Sequence, residues 1–369
     1  MKKYEHRREI NPYLSIVIPT YNEADNIAEV IKRLSYSLNR ELKDRYEIII
    51  VDDNSPDKTW LVAYDTLRSL DISGLVVVRE NMRGIGSAIV AGIREARGEY
   101  IAVMDADLQH PPEELINMFK KAVGEGFDLV IASRYVRGGG VEGWGLHRRI
   151  ISKTASLIAR ILIPHARRIR DPMSGYFLFK RDKVSIEKLR GEGSKVLLEI
   201  VVRGSIRSVH EHPYIFRRRS RGESKLGLRE IMRFTHQILV LSDYKILKFA
   251  AVGASGIGVN WGVLYILKEF MRIPLYASYA VSIETSLTTN FVLNDLWTFS
   301  RERSKSVFRR YLEYHVAQLA GLLINYITTI VLSHFMYYLM ASFIGILLGF
   351  LANYIISTEY VWGQKRLLR

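Results

Sequence analysis

Val103-Met104-Asp105-Ala106-Asp107-Leu108-Gln109-His110 is the stretch that decides the fold. Tyr100 to Met104 is an unbroken, mostly apolar run of strand length, the pattern of a strand covered on both faces of a parallel sheet. It leads directly into two carboxylates one residue apart and a carboxamide, after which Pro111-Pro112 forces an exit into a new helix. Side chains alternate along extended chain, so a strand end here projects Asp105 and Asp107 together at the carboxyl edge, where open α/β sheets bind ligands. Hard oxygen donors in that place suit Mg²⁺ or Mn²⁺ bridging a diphosphate, because Mg²⁺ takes one or two carboxylates and completes its shell with phosphate oxygens and water. The competing assignment makes Asp107 a helix N-cap and leaves Asp105 solvated. The Asp-x-Asp pair alone does not separate the two.

The preceding chain repeats the pattern. Leu14 to Pro19 is a short apolar strand ending in Thr20-Tyr21-Asn22-Glu23, and Asp25-Asn26 opens a helix to about Leu38. Glu47 to Val51 is a second strand, closed by the turn-forming Asp52-Asp53-Asn54-Ser55-Pro56-Asp57. Leu75 to Val78 is a third, after which Gly84-Ile85-Gly86-Ser87 makes a tight turn into a helix reaching about Ala96. Beyond the decisive stretch, Pro112 to about Val123 is helical, and Asp128 to Ala132 is a fifth strand ending in Ser133-Arg134-Tyr135. Strands alternating with helices argue an α/β, doubly wound, mostly parallel sheet. Its strand ends bring Tyr21, Glu23, Asp53, Asp105 and Asp107 to one edge. No Gly-x-Gly-x-x-Gly follows the first strand and no P-loop is present, so a diphosphate here must be held by metal and basic side chains.

Composition sets the surroundings. The chain has 369 residues, a net charge of +15 and 48% hydrophobic residues, but the two properties are segregated. Up to about Tyr244 it is charged and globular; beyond that, long apolar runs are separated by short basic loops. A basic excess serves either nucleic acid or an anionic membrane, and the apolar runs decide for the membrane. With no cysteine there is no disulfide framework, thiolate metal site or cysteine nucleophile. Met1 to Glu9 is polar and basic, so no cleaved signal peptide is expected.

Taken together and in order, Pro19-Thr20-Tyr21-Asn22-Glu23, Val51-Asp52-Asp53-Asn54-Ser55-Pro56-Asp57, Asp105-Ala106-Asp107-Leu108-Gln109, Ser133-Arg134-Tyr135 and Gly222-Glu223-Ser224-Lys225 resemble a family 2 glycosyltransferase, and more narrowly the dolichol-phosphate mannose synthases. The resemblance covers roughly residues 14 to 230 and implies a GT-A fold with a nucleotide-sugar donor. It implies that Pro19, Tyr21, Glu23, Val51 and Asp53 hold the nucleoside. It implies a donor and metal motif in Asp105, Ala106, Asp107 and Gln109, and a basic set of Arg134, Arg219 and Lys225 around the diphosphate. Asp105, Asp107, Arg219 and Lys225 are the expected catalytic residues. The Gln-x-x-Arg-Trp motif of processive polysaccharide synthases is absent, which argues for a single transfer.

Gly138-Gly139-Gly140 is a flexible joint before the segment 144–163, whose Leu146, Ile150, Ile151, Leu157, Ile158, Ile161 and Leu162 share one helical face. Its other face is basic, with His147, Arg148, Arg149, Lys153 and Arg160. A helix of this kind lies on a membrane surface or packs its apolar face on the core. Leu228 to Leu241 repeats the pattern, and 226–243 reads as an interfacial connector. Between them, the loop Pro164 to Tyr176 carries Arg167, Arg168 and Arg170. An acceptor phosphate is expected at Arg134, Arg148, Ser152, Arg168 and Arg170; the alternative for the loop arginines is a solvated surface. Arg217-Arg218-Arg219-Ser220-Arg221 adds another cationic cluster, and no nucleic-acid module accompanies it.

The chain thus divides into a glycosyltransferase domain at 1–225, the connector, and an all-α transmembrane domain at 244–369. Four spans are expected, at about 249–267, 275–296, 316–339 and 341–361. The second is interrupted by Glu284, Asn290, Asn294 and Asp295, and Glu284 should face another helix. Arg301, Arg303, Lys305, Arg309 and Arg310 crowd the central loop, so the positive-inside rule puts that loop, both termini and the catalytic half in the cytosol. The two hairpins read as copies: Phe249, Gly256 and Asn260 match Tyr314, Gly321 and Asn325, and Asn290, Trp297 and Phe299 match Asn353, Tyr360 and Trp362. This half resembles the small GtrA-like membrane domains, which leaves an anchor and a carrier both open; an oligomer could form through it.

The resemblance implies transfer of mannose from GDP-mannose to dolichyl (polyprenyl) phosphate, with Mg²⁺ or Mn²⁺ and inversion at the anomeric carbon. A UDP-glucose donor with a shorter polyprenol, or a carrier of lipid-linked sugar, are the alternatives.

Overall fold

The computed structural model describes residues 1–9, 11–218 and 228–363, with backbone alone at 228–229. The predicted catalytic residues Arg219 and Lys225 lie outside the described residues. The chain forms two compact units, one over Met1–Leu241 and one beginning at Ser242.

In the first unit, β1 (Lys2–His6), β2 (Leu14–Thr20), α1 (Ala24–Leu42), β3 (Tyr46–Asp52), α2 (Thr59–Ser69), β4 (Gly74–Val78), α3 (Ile85–Glu95) and β5 (Tyr100–Val103) build one half of a sheet. After α4 (Glu114–Glu125) come β6 (Leu129–Ser133), the two-residue β7 (Gly140–Val141), α5 (Leu146–Leu162) and β8 (Phe177–Lys180). Then α6 (Val196–Arg203), β9 (Val209–Pro213), the short β10 (Ile215–Phe216) and α7 (Leu228–Leu241) complete the unit. The eight-stranded sheet has the order β1-β4-β3-β2-β5-β8-β6-β9, and β7 pairs separately with β10.

Alternation along the strands explains the double layer. Ile16, Ile18, Ile48 and Ile50 face α1 and α4 with Ile27, Val30, Leu34 and Met118. Val17, Ile49 and Val51 face the other way, onto Ala88, Ile89 and Ile93 of α3 and Val196, Leu197 and Ile200 of α6. This is the expected doubly wound, mostly parallel α/β sheet. Two strands run against the rest: β1 pairs antiparallel with β4, and β8 lies antiparallel between β5 and β6. Because Phe177 of β8 sits opposite both Val103 and Ile131, the loop before β8 returns to the carboxyl edge where β5 and β6 end. Neither strand is predicted from the sequence. β1 carries charges because it is an edge, and β8 is only four residues long.

The segment 228–241, read above as a connector, packs into the first unit: Phe234, Ile238 and Leu241 join Ala159, Ile163, Ala166 and Leu198. The apolar face of α5 does not pack inward. Leu146, Ile150, Ile151, Leu157 and Ile158 are exposed, as are Ile231 and Met232 of α7.

The second unit consists of α8 (Lys245–Tyr265), α9 (Leu275–Leu293), α10 (Val307–Ser333) and α11 (Tyr338–Ile356). Among the described residues three helices are long and apolar enough to cross a membrane, Lys245–Phe270, Val307–Ser333 and Tyr338–Val361. α9, with its polar interruptions, does not reach that standard. The duplication is visible in the packing: a Cβ on Gly256 would fall 2.4 Å from the Asn290 carboxamide, and one on Gly321 would fall 1.8 Å from that of Asn353. π-helical segments follow at the matching places, Asn294–Thr298 and Ser357–Val361. α10 starts earlier than the predicted span, so Arg310 is helical and buried rather than a loop charge. Its Nε and Nη2 donate to Asp295 at 2.8 and 3.0 Å, and Trp362 Nε1 donates to the same carboxylate at 2.8 Å. Glu284 does reach α10, accepting from the Tyr311 hydroxyl at 2.6 Å with His315 Nε2 at 3.1 Å, although 56% of its side chain stays exposed.

Candidate active site

A cleft of about 210 Å³ opens at the carboxyl edge of the first unit, lined by Pro19, Thr20, Tyr21, Glu23, Asp53, Asp105, Ala106 and Asp107 with Ile85 and Ala88. Of the residues expected to hold the nucleoside and the metal, Pro19, Tyr21, Glu23, Asp53, Asp105, Ala106 and Asp107 line this cleft, whereas Val51 and Gln109 do not. Val51 is fully buried and packs on Gly92 of α3, so its side chain does not reach the cleft. Alternation along β3 turns Val51 inward.

Asp52 ties the strand ends together rather than facing ligand. Its carboxylate accepts from Thr20 Oγ1 at 2.8 Å and from Ser55 N and Oγ at 2.8 and 2.7 Å. Burial raises its carboxyl pKa against those bonds. Asp53 is held differently. Arg79, one residue past β4 and 1% exposed, donates Nε at 2.7 Å and also Nη2 to Asp53 Oδ1, while Gly84 N–H donates to Oδ2 at 2.8 Å. Gly84 takes φ +139°, a conformation L side chains rarely adopt, and this aims its N–H at Asp53. Sequence reading missed Arg79, although it follows an apolar strand exactly as the acidic residues do. Tyr21 is exposed, with the Arg83 guanidinium 5.3 Å from its ring centre.

β5 stops at Val103, two residues short of Asp105, so the two carboxylates lie in a turn and not on extended chain. Asp107 is no helix cap either, since the next helix starts at Glu114. Instead its Oδ1 accepts the Gln109 N–H at 3.1 Å across Leu108, which has φ +60°. Gln109 Nε2 donates to the Arg217 carbonyl at 3.0 Å, and Arg217 N–H donates back to the Gln109 carbonyl at 3.0 Å. His110 is buried in a stack with Tyr176, ring centres 5.1 Å apart, and its Nδ1 accepts the Asp105 N–H at 3.2 Å. Burial pushes its pKa down to about 4, so the imidazole is neutral at physiological pH.

Among the described residues no group of three or more His, Cys, Asp or Glu side chains could enclose a metal ion. Asp105 and Asp107 on one cleft wall fit Mg²⁺ or Mn²⁺ in another way, while the Gln109 side chain is buried with its Nε2 given to the Arg217 carbonyl. Such an ion accepts two carboxylates when a diphosphate supplies the remaining oxygens.

The basic side is built around Asp171. Arg134 donates Nε and Nη2 to it at 2.7 Å each and its backbone N–H at 3.0 Å. Asp171 is fully buried and its own N–H is held by Glu211. The loop also approaches the metal motif, where a Cβ on Gly175 would sit 3.2 Å from Asp105 Oδ2. Arg134 and Arg148 flank Trp144 at 5.5 and 4.3 Å, and Tyr135 donates its hydroxyl to Ser152 Oγ at 2.7 Å. Arg134, Arg148 and Ser152 thus gather around two aromatic rings. Arg168 and Arg170 are exposed on the loop before Asp171, and the Arg170 N–H is fastened to Glu211 at 2.8 Å. Asp171 lies in the loop expected from the sequence, but its role as the partner of Arg134 depends on β8, which the sequence does not predict.

Residues 15–185 match the glycosyl transferase family 2, and residues 248–362 match the GtrA/DPMS transmembrane domain. The chain is 39% identical over 356 residues to a dolichol-phosphate mannosyltransferase of Pyrococcus furiosus, covering 95% of this chain and 99% of that protein. It is 33% identical over 260 residues to the dolichol-phosphate mannosyltransferase of Saccharomyces cerevisiae, covering 68% of this chain and 94% of that one. Of solved structures, the glucosyl-3-phosphoglycerate synthase of Mycobacterium tuberculosis, in complex with Mn²⁺, UDP-glucose and glycerol 3-phosphate, aligns with a TM-score of 0.44. It is 18% identical over 62% of this chain and 78% of that one, a likeness too loose to bear on the site.

Proposed function

The chain belongs to the dolichol-phosphate mannosyltransferase family of glycosyltransferases, integral membrane proteins with a helical membrane domain, and from that premise we propose that it moves mannose from GDP-mannose to dolichyl (polyprenyl) phosphate. The products are dolichyl β-mannosyl phosphate and GDP. The observation that carries this reading is the closeness of the Asp105–Asp107 turn to the Arg134–Asp171 loop at one sheet edge. A diphosphate and a phosphate can then meet across one sugar.

A phosphate monoester has its second pKa near 6 and is largely a dianion at neutral pH, so the nucleophile needs no general base. One of its oxygens bonds to the anomeric carbon as the bond to the diphosphate oxygen breaks, through an oxocarbenium-like transition state. The electron pair departs with GDP, and attack from the opposite face inverts an α-linked donor to a β-linked product. Asp105 and Asp107 would hold Mg²⁺ or Mn²⁺, which when bound supplies charge neutralisation on the diphosphate. Tyr21 and Asp53 serve the nucleoside, and Asp105 also orients sugar or ribose hydroxyls. Arg219 and Lys225 contribute positive charge around the leaving group. Arg148, Ser152, Arg168 and Arg170 receive the lipid phosphate beside Arg134.

The exposed apolar residues of α5 and α7 rest in the membrane interface, which brings the acceptor headgroup to the site. By the positive-inside rule, the basic residues Arg301, Arg303, Lys305 and Arg309 of the central loop and its flank support a cytosolic side for both termini and the catalytic unit. The test is a donor screen with the purified chain, comparing GDP-mannose and UDP-glucose with a polyprenyl phosphate acceptor. Transfer from GDP-mannose alone, to a product sensitive to β-mannosidase, supports the reading. Preferred use of UDP-glucose overturns the donor, and no transfer from either overturns the reaction.

A further inference from the structure

The acceptor side carries one aromatic residue that belongs to none of the recognised motifs and whose place no hydrogen bond explains. Trp144 lies between β7 and α5, partly buried against the core cluster that contains Tyr214 and Phe216. Its indole N–H is buried and has no hydrogen-bond partner among the described residues. An unpaired buried donor is a cost, so the polar edge of the ring is not what holds it there. The ring itself is well used. Phe216 meets it near-perpendicular with centres 5.4 Å apart, the Arg148 guanidinium lies over it at 4.3 Å, and that of Arg134 at 5.5 Å.

The two arginines differ in what else restrains them. Arg134 gives Nε and Nη2 to the buried Asp171, and its side chain is 8% exposed, so it keeps its place without the indole. Arg148 stands in the first turn of α5, which holds no acidic residue, and the positive pole of a helix disfavours a cation. An indole face is the strongest aromatic attractor for a guanidinium and offsets that repulsion. A guanidinium held by its face keeps its in-plane N–H donors for a phosphate. Resting on the acceptor site proposed above, we propose that Trp144 is a positioning residue, whose ring holds the Arg148 guanidinium where the lipid phosphate of the acceptor binds. An arriving dianion is attracted by the helix pole and the guanidinium together. Ser152, the other α5 residue of the acceptor set, has a support of its own in the Tyr135 hydroxyl at 2.7 Å, so the action of Trp144 runs through Arg148.

The test uses the full chain in detergent with polyprenyl phosphate, GDP-mannose and Mn²⁺. Trp144→Leu removes the aromatic face, Trp144→Phe keeps a weaker one, and Arg148→Gln removes the charge that the face holds. Loss of the cation–π contact should raise the KM for polyprenyl phosphate about tenfold in Trp144→Leu and about two- to threefold in Trp144→Phe, with the donor KM unchanged. Arg148→Gln should raise the acceptor KM by itself, and in that background either substitution should add less than about twofold, since the two residues act as one unit. An unchanged acceptor KM in Trp144→Leu overturns the proposal. So does a loss that is equally large with Arg148→Gln present, which would make Trp144 a general support of α5. If Trp144→Leu does not fold, the same comparison with Trp144→Phe decides, and no rise in acceptor KM overturns the proposal. Arg148→Gln with a wild-type acceptor KM overturns the acceptor site and this proposal with it. Failure of the mannosyl-transfer reading shows separately, as a wild-type chain that transfers nothing to polyprenyl phosphate.

Discussion

Arg79→Met isolates the buried pair on which the cleft is built, because methionine fills much of the same space without charge or donors. The Asp53 side chain is 8% exposed, and the variant leaves it with one partner, the Gly84 N–H at 2.8 Å. Removing one member of a buried ion pair costs about 3–5 kcal/mol, against the roughly 5–15 kcal/mol that keeps a domain folded. In a unit of this size each kcal/mol moves Tm by about 2–4 °C, so the variant should melt about 6–20 °C below wild type. Binding should suffer as well if Asp53, whose carboxylate Arg79 orients, holds the nucleoside as proposed. Loss of one charge-assisted hydrogen bond is worth about 1.5–3 kcal/mol, or about 10–150-fold in the Kd for GDP. Thermal unfolding of the full chain in detergent reads the first quantity, and GDP titration at a temperature where the variant is folded reads the second. Adding Asp53→Asn removes the stranded charge and should recover part of the lost stability. An Arg79→Met variant that melts within a degree or two of wild type and binds GDP equally well would refute the reasoning.

Asp107→Ala should lower metal-dependent transfer by about a hundredfold or more, with membrane insertion and Tm preserved; activity measured in proteoliposomes checks it. His110 provides a pH test. Its pKa is about 4 when folded against 6.5 unfolded, so between those values the unfolded chain binds a proton that the native chain refuses. Stability should be whole above pH 6.5 and fall by about 3 kcal/mol as pH drops toward 4, and urea unfolding of His110→Gln should show a shallower loss over that window. In the membrane unit, Asp295→Ala strands the Arg310 guanidinium, 3% exposed, together with the Trp362 N–H. A cost of about 3–5 kcal/mol should appear as faster proteolysis of that unit in detergent, restored in part by adding Arg310→Met.

What could be read from the sequence follows the strength of local patterns. Ile16, Ile18, Ile48, Ile50 and their inward-facing neighbours are covered on both sheet faces, so the central strands were recognisable as apolar runs, and the acidic residues after them had to emerge at one edge. The turn that carries Asp105 and Asp107 was not recognisable, because Leu108 at φ +60° is a residue that ordinarily avoids that conformation. Its geometry is imposed by the Asp107–Gln109 bond and the pairing of Gln109 with Arg217. Arg79 and Asp171 escaped for a related reason. Each pairs with a residue 26 or more positions away, Asp53 and Arg134 respectively, and no local period records such a pairing. Arg310 was counted with the loop charges because its neutralising partner, Asp295, lies on another helix.

The same contacts bear on whether the membrane unit anchors or carries. A path for a polar headgroup needs polar groups that face open space. Here the buried charges of Asp295 and Arg310 satisfy each other and Trp362. Asn353 donates to Gln318 at 2.8 Å, and Ser286 donates to the Gly256 carbonyl at 2.7 Å. Gly256 and Gly321 let their hairpins close until an added methyl group would collide with Asn290 and Asn353. Glycines in such places bring helices into tight contact, and a duplicated pair of tight hairpins with self-neutralised charges favours an anchor. Gly321→Leu supplies the test. In an anchor it should loosen the hairpin, lowering the Tm of the membrane unit while transfer to detergent-dispersed polyprenyl phosphate continues. A rise in lipid-linked mannose crossing sealed vesicles, with Tm unchanged, would argue for a carrier instead.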